Sequence, residues 1–235
     1  MQIDIITLFP EMFQGPFDWS ILKKAQQKEA LKINFVNPRD FTEDAHRTVD
    51  DRPYGGGKGM LLKAEPLFRA VRQVKKKSSW VVYLSPKGKP LEQSQVKKLS
   101  QKQHLILVCG HYEGVDERFL KGVDLVLSIG DYVLTGGEIP AMVLVDAVAR
   151  LLPGVLDVEA TREESFAAKR LESPHFTRPQ VWRGRRVPSL LLNGDHQEIA
   201  TWRESQSLKL TKSLRPDLLT KTKRIQEAKS KSISV

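Results

Sequence analysis

The sequence predicts an α/β fold, a parallel sheet covered by helices on both faces, followed by a smaller unit of different texture. Three observations carry this. Short apolar runs alternate with segments of helical spacing through the first two thirds of the chain. Most of those runs are continuously apolar rather than alternating, as expected of strands buried on both faces. After Pro153-Gly154 the chain turns polar and then basic, with Trp182 and Trp202 among short helical patterns. A length of 235 residues allows one large domain or two small ones. Hydrophobic residues at 40% and charged residues at 28% are an ordinary globular balance.

In chain order, IDIITLF (3–9) reads as a buried strand, and a helix-like stretch follows to about Ala30. LKINFV (31–36) is a second strand with a two-residue period. Residues 37–61 are polar and glycine-rich, a loop long enough to be functional. AEPLFRAVRQVKKK (64–77) has helical spacing and a basic last turn, which suits the helix dipole. WVVYLS (80–85), HLILVCG (104–110) and DLVLSIG (124–130) are three further strands, separated by the expected helices LEQSQVKKLSQ and VDERFLKG. EIPAMVLVDAVARLL (138–152) reads as an amphipathic helix with Pro140 in its first turn. Residues 155–177 carry Asp157, Glu159, Glu163, Glu164 and Glu172 and read as a linker.

Composition excludes several classes. Cys109 is the one cysteine, so no internal disulfide can form and a reducing, cytoplasmic location is expected. MQIDIITLFP has neither the basic nor the apolar region of a signal peptide. The longest apolar candidate, AMVLVDAVARLL, is broken by Asp146 and Arg150 and falls short of the ~20 residues of a membrane span. The net charge of +10 is unevenly distributed. Residues 1–160 hold 22 basic and 20 acidic side chains, and residues 161–235 hold 16 and 8. An excess of +8 in the last third points to a polyanion, nucleic acid before anionic lipid, with plain surface solubility as the alternative.

The strongest local signal lies at the ends of the last three strands. Each runs into a turn-rich segment: Ser85-Pro86-Lys87-Gly88, then Gly110-His111-Tyr112-Glu113-Gly114, then Ile129-Gly130-Asp131-Tyr132 with Leu134-Thr135-Gly136-Gly137-Glu138. In parallel sheets ligands bind beyond the carboxyl ends of the strands. Glycine-bearing turns there expose backbone donors and acceptors that can read the edge of a flat heterocycle such as adenine. Ordinary strand-to-helix turn chemistry would produce one such loop, but three in succession favour a cavity. GGGKG (55–59) lacks phosphate-loop spacing and has Met60 where a magnesium-binding hydroxyl is needed, so it reads as a flexible loop. His46, His111, His175 and His196 lack zinc-ligand spacing. Cys109 reads as a core residue. Arg150 follows Asp146 by four residues, either a helix-surface pair or a cation beside a ligand.

Several blocks together resemble one family. YLSPKG (83–88), LVCGHYEGVDER (107–118), SIGDYVLTGGEIPA (128–141), DAVARLLPGVL (146–156) and SPHFTRP (173–179) are similar to the TrmD family of bacterial tRNA (guanine-N1)-methyltransferases. VDDRPYGGGKGM (49–60) and LLLNGDHQEIATWR (190–203) add two more, and the likeness runs from ITLFPEMF to RPDLL. The resemblance implies a SPOUT-type parallel sheet with a deep trefoil knot, a rare exception to the usual topological rules. It implies a knotted domain over 1–154 that binds S-adenosyl-L-methionine, a linker over 155–172 carrying the catalytic acid residue, and a small, mainly helical tRNA-binding domain over 173–235. It also implies a homodimer with sites built from both protomers.

Carried over by position, the resemblance puts Tyr83, Leu84, Ser85 and Pro86 on the cofactor from the first loop. Gly110, Tyr112 and Glu113 follow from the second. Ser128, Ile129, Gly130, Tyr132, Leu134, Gly136, Gly137 and Pro140 follow from the third. The implied reaction is methylation of N1 of guanosine 37, preceded by a guanosine at 36. Glu164, just before Ser165-Phe166, stands where the family has an Asp as general base, with Glu163 as a competing assignment because the linker is one residue shorter than usual. Arg150 matches the arginine set against O6. Glu172 replaces a common Asp, Lys58 a common Pro, and His111 a frequent Arg. Arg178, Trp182, Arg183, Arg185, Arg186, His196, Arg203 and Lys209 are the residues expected to grip tRNA. Magnesium is an assisting ion in this resemblance, although no carboxylate cluster announces a site. Two rivals remain at this level: another SPOUT enzyme acting on ribosomal RNA, and an RNA-binding regulator that retains the pocket without catalysis.

Overall fold

The computed structural model describes residues 1–157, Thr161 and 164–220. Glu163 and the tail beyond residue 220 therefore lie outside the described residues. The chain divides into two compact units, Met1–Leu156 and Asp157–Val235.

The first unit is built on a five-stranded, all-parallel sheet in the order β2-β1-β6-β5-β7. Its strands are β1 (Gln2–Ile6), β2 (Lys32–Val36), β5 (Ser79–Pro90), β6 (His104–Cys109) and β7 (Leu125–Ser128). Short pieces β3 (Asp50–Asp51) and β4 (Leu61–Leu62) pair antiparallel to close the glycine-rich loop. The central strand β6 is buried at all six positions. Its side chains alternate between two cores, as the pleat requires. Leu105 and Leu107 pack on one face with helices α1 (Ser20–Gln27), α3 (Gln93–Ser100) and α4 (Glu138–Ala149). Ile106 and Val108 pack on the other with α2 (Ala64–Val74). A polar belt crosses four adjacent strands: Asn34 Nδ2 donates to Asp4 at 2.7 Å, Asp4 meets His104 Nε2 at 2.7 Å, and His104 Nδ1 meets Ser79 Oγ at 2.6 Å.

Several elements differ from expectation. Residues 115–122 were expected as a helix, but only the 3-10 turn Phe119–Gly122 forms. The Asp116 carboxylate accepts from the backbone N–H and guanidinium of Arg118, a local bond that competes with helix formation. The stretch after β1 holds a single 3-10 turn, Pro10–Phe13, and then α1, because Gly15 and Ser20 adopt left-handed backbone angles. Helix α4 is not amphipathic. It buries Ala141, Leu144, Val145, Val148 and Ala149, yet Ile139 and Val143 on the opposite side are 46% and 44% exposed. Strand β5 runs on to Pro90 rather than ending at Ser85, and Leu127 of β7 is in register with both Leu84 and Lys89 of that one strand.

In the second unit, α5 (His196–Leu214) is a single 19-residue helix where short helical patterns were expected. The Asp195 side chain caps it by accepting from the N–H groups of Gln197 and Glu198. Thr211, fully buried, accepts from Leu171 N–H at 2.9 Å, and Ser207 Oγ donates to the Leu171 carbonyl at 2.6 Å. These bonds hold the end of the polar stretch against α5. A two-stranded hairpin, β8 (Val181–Trp182) and β9 (Arg185–Arg186), was not anticipated. Arg183 and Gly184 at its turn both have positive φ, the twist a two-residue hairpin favours.

Candidate active site

Strands β6 and β7 end beside the irregular stretch of β5 at residues 85–88, so these three segments surround one space. It is a cavity of about 210 Å³ at the carboxyl edge of the sheet. All fifteen residues singled out for the cofactor lie on its lining, together with Lys87, His111, Gly114, Leu127, Val133 and Thr135.

Glycine is required where the walls meet. A Cβ on Gly137 would fall 2.7 Å from Cys109 Cα and 2.8 Å from the Gly110 nitrogen, which are backbone atoms that cannot move aside. A Cβ on Gly110 would fall 2.7 Å from the Tyr83 hydroxyl. This close approach lets Gly137 N–H donate to the Gly110 carbonyl at 2.7 Å, and His111 bridges Gly136 in antiparallel fashion. The second and third loops are thus locked together. Ser128 Oγ donates to the Gly130 carbonyl at 2.9 Å and holds the start of the third loop.

The walls are apolar with a few polar edges. Burial pushes the Tyr83 phenol up, partly offset by a hydrogen bond with Ser85. Burial, with the Glu138 carboxylate nearby, pushes the Cys109 thiol well above its usual range, so Cys109 is a protected core group and no nucleophile. Glu138 itself is 2% exposed and accepts from Thr7 Oγ1 at 2.9 Å across 131 residues of sequence. Thr7, Glu138 and the wall role of His111 were not singled out from sequence. Helical period marks Glu138 only as a first-turn acid, and nothing local reveals that it turns inward.

The remaining expected residues lie elsewhere. Arg150 is half-buried at the far end of α4. That helix begins at the cavity and spans roughly 18 Å, so the arginine stands well away from the lining contributed by its own chain. Glu164 is half-buried in the second unit, next to a closed turn in which Phe166 N–H donates to the Arg170 carbonyl at 2.7 Å and Glu172 N–H donates to Ser165 Oγ at 3.2 Å. All eight residues expected to grip nucleic acid are exposed. Trp182, Arg183, Arg185 and Arg186 share the hairpin, with the Arg183 guanidinium 5.0 Å from the Trp182 ring centroid. Arg178 and Arg203 line a second cavity of about 440 Å³ beside Phe176. His196 and Lys209 stand apart along α5. Among the described residues no group of three or more His, Cys, Asp or Glu is placed to hold a metal ion, so no magnesium site is assigned. No helix among them is long and apolar enough to cross a membrane.

Fold and site together define an α/β ligand-binding protein with its cavity at the carboxyl ends of parallel strands and a basic companion unit. Comparison with known proteins narrows this. The family model "tRNA (Guanine-1)-methyltransferase TrmD" matches residues 1–221. A tRNA (guanine-N(1)-)-methyltransferase of Dictyoglomus turgidum is 58% identical over 228 residues, covering 97% of this chain and 93% of the relative. Enzymes of the same name from Carboxydothermus hydrogenoformans and Syntrophomonas wolfei are 56% and 54% identical, over 93% and 98% of this chain and 87% and 95% of their own lengths. The chain belongs to the tRNA (guanine-1)-methyltransferase TrmD family, and it is an enzyme.

Proposed function

We propose that the protein methylates N1 of guanosine 37 in tRNA, next to a guanosine at 36, using S-adenosyl-L-methionine bound in the three-loop cavity. The observation that carries this reading is the cavity itself. Gly110 and Gly137, whose Cβ positions are filled by Tyr83 and by Cys109 backbone, leave a space edged by peptide groups that suits a flat heterocycle. When bound, the donor supplies an electrophilic methyl group on a sulfonium. The chain has two tasks. Guanine N1 carries a proton at neutral pH, and Glu164 accepts it. Negative charge grows on O6 as that proton leaves, and the Arg150 guanidinium stabilises it. The donor would give up its methyl group to N1 and leave as a neutral thioether. To be engaged at N1 the base leaves its stack, which is easier in an anticodon loop than in a stem.

The active form in this reading is a homodimer with composite sites. Two features support it. Arg150 stands a helix length from the cavity of its own chain, and the third loop and α4 present apolar surface to solvent, with Val133 at 84% exposure and Ile139 and Val143 one helical turn apart. The expected trefoil knot belongs to the same reading, supported by Leu127 pairing with two separate stretches of β5. The second unit grips tRNA through its exposed arginines, and the enzyme works in the cytoplasm.

The test is transfer of labelled methyl from S-adenosylmethionine to unmodified tRNA transcripts with G37 or with A37. Label on the G37 transcript alone is expected. No label on either RNA overturns the assignment, and equal label on both overturns the choice of site.

A further inference from the structure

Glu138 is an anomaly at the first position of α4. A carboxylate there normally faces water and the helix dipole, but this one is turned inward. One oxygen accepts from Thr7 Oγ1, whose hydroxyl oxygen in turn accepts from Phe9 N–H at 3.0 Å, so the hydroxyl is fixed from both sides. The other oxygen fills the space where a side chain on Gly136 would begin. Gly136 lines the cavity, so the carboxylate lies directly behind the wall. His111 Nδ1 occupies the same space, 2.8 Å from that missing Cβ, and is buried without a hydrogen-bond partner. Among the described residues no Lys or Arg pairs with Glu138. A carboxylate in this position acts on the cavity through protein groups, which screen a charge far less than water does.

We propose that Glu138 is a specificity-determining residue whose carboxylate, set behind Gly136, favours the positively charged sulfonium donor over the neutral thioether that remains after transfer. The reading rests on the donor assigned above. It gives the reaction a direction at the level of binding, because the ligand loses its positive charge when the methyl group leaves and with it the attraction of the wall. Thr7 serves as the positioning residue that keeps the carboxylate turned inward.

Calorimetric titration of the full chain with S-adenosylmethionine and with S-adenosylhomocysteine tests this. Glu138→Gln keeps the shape and an oxygen for the Thr7 hydroxyl but removes the charge. It is expected to weaken the sulfonium ligand by roughly three- to tenfold relative to the thioether, with thioether affinity held within about twofold. Thr7→Val keeps the charge and loosens its hold, so both affinities fall together and Thr7→Ser restores them. A Glu138→Gln protein with an unchanged ratio overturns the proposal. So does loss of binding to both ligands, which would assign the side chain to wall shape alone. If the unaltered chain binds neither ligand, the donor assignment itself fails, a distinguishable result.

Discussion

Glu164 carries the chemistry in this reading. Its neighbours are tied down: Ser165 Oγ bonds Glu172, and Leu171 is bonded to Ser207 and Thr211 of α5. The segment that follows Glu164 is therefore held in place from Ser165 to Glu172. Glu164→Ala is expected to slow single-turnover methyl transfer by ~10²-fold or more while donor affinity is retained. A rapid-quench assay at saturating tRNA measures it, and full-speed transfer would move the base role to Glu163 or Glu172.

At the scale of elements, the pocket depends on backbone meeting backbone between the β6 end and the α4 start. Gly137→Ala puts a methyl group against Cys109 and Gly110 main chain, where nothing flexible can yield. Donor affinity is expected to fall at least tenfold, with a lowered melting temperature, since forcing such walls apart costs on the order of 1–3 kcal/mol. Retained affinity would mean the loops do not close on the ligand as described. The strands and their order of function were largely legible in the sequence, because continuous apolar runs such as HLILVCG have few other uses. The three loops were legible for the same reason that they work: glycine clusters are rare at strand ends unless the backbone must come close. Three of the differences have a plain local cause. VDERFLKG has the composition of a helix, but an Asp116 side-chain turn takes the backbone first. The hairpin at 181–186 is too short for periodicity to register. The apolar outer side of α4 was read as amphipathic because Asp146 and Arg150 punctuate it, although they do not cover Ile139 and Val143.

At the scale of the whole molecule, both units are basic, and the smaller one carries the larger excess: Met1–Leu156 holds 22 basic and 18 acidic side chains, and Asp157–Val235 holds 16 and 10. Binding of tRNA should therefore be strongly salt-dependent and insensitive to changes around the cavity. Arg183→Ala is expected to weaken association and reduce the slope of log K against log salt by about one unit, as read by filter binding across a salt series. An unaltered slope would remove that arginine from the interface.

The double pairing of Leu127 with Leu84 and Lys89 has one more consequence. Residues 85–88 leave β7 and return to it within four positions, so this wall is anchored at both ends before any ligand arrives. Little conformational freedom is left to surrender on binding, and a small cavity with modest contacts can hold its guest tightly because the entropy of ordering was spent when the chain folded.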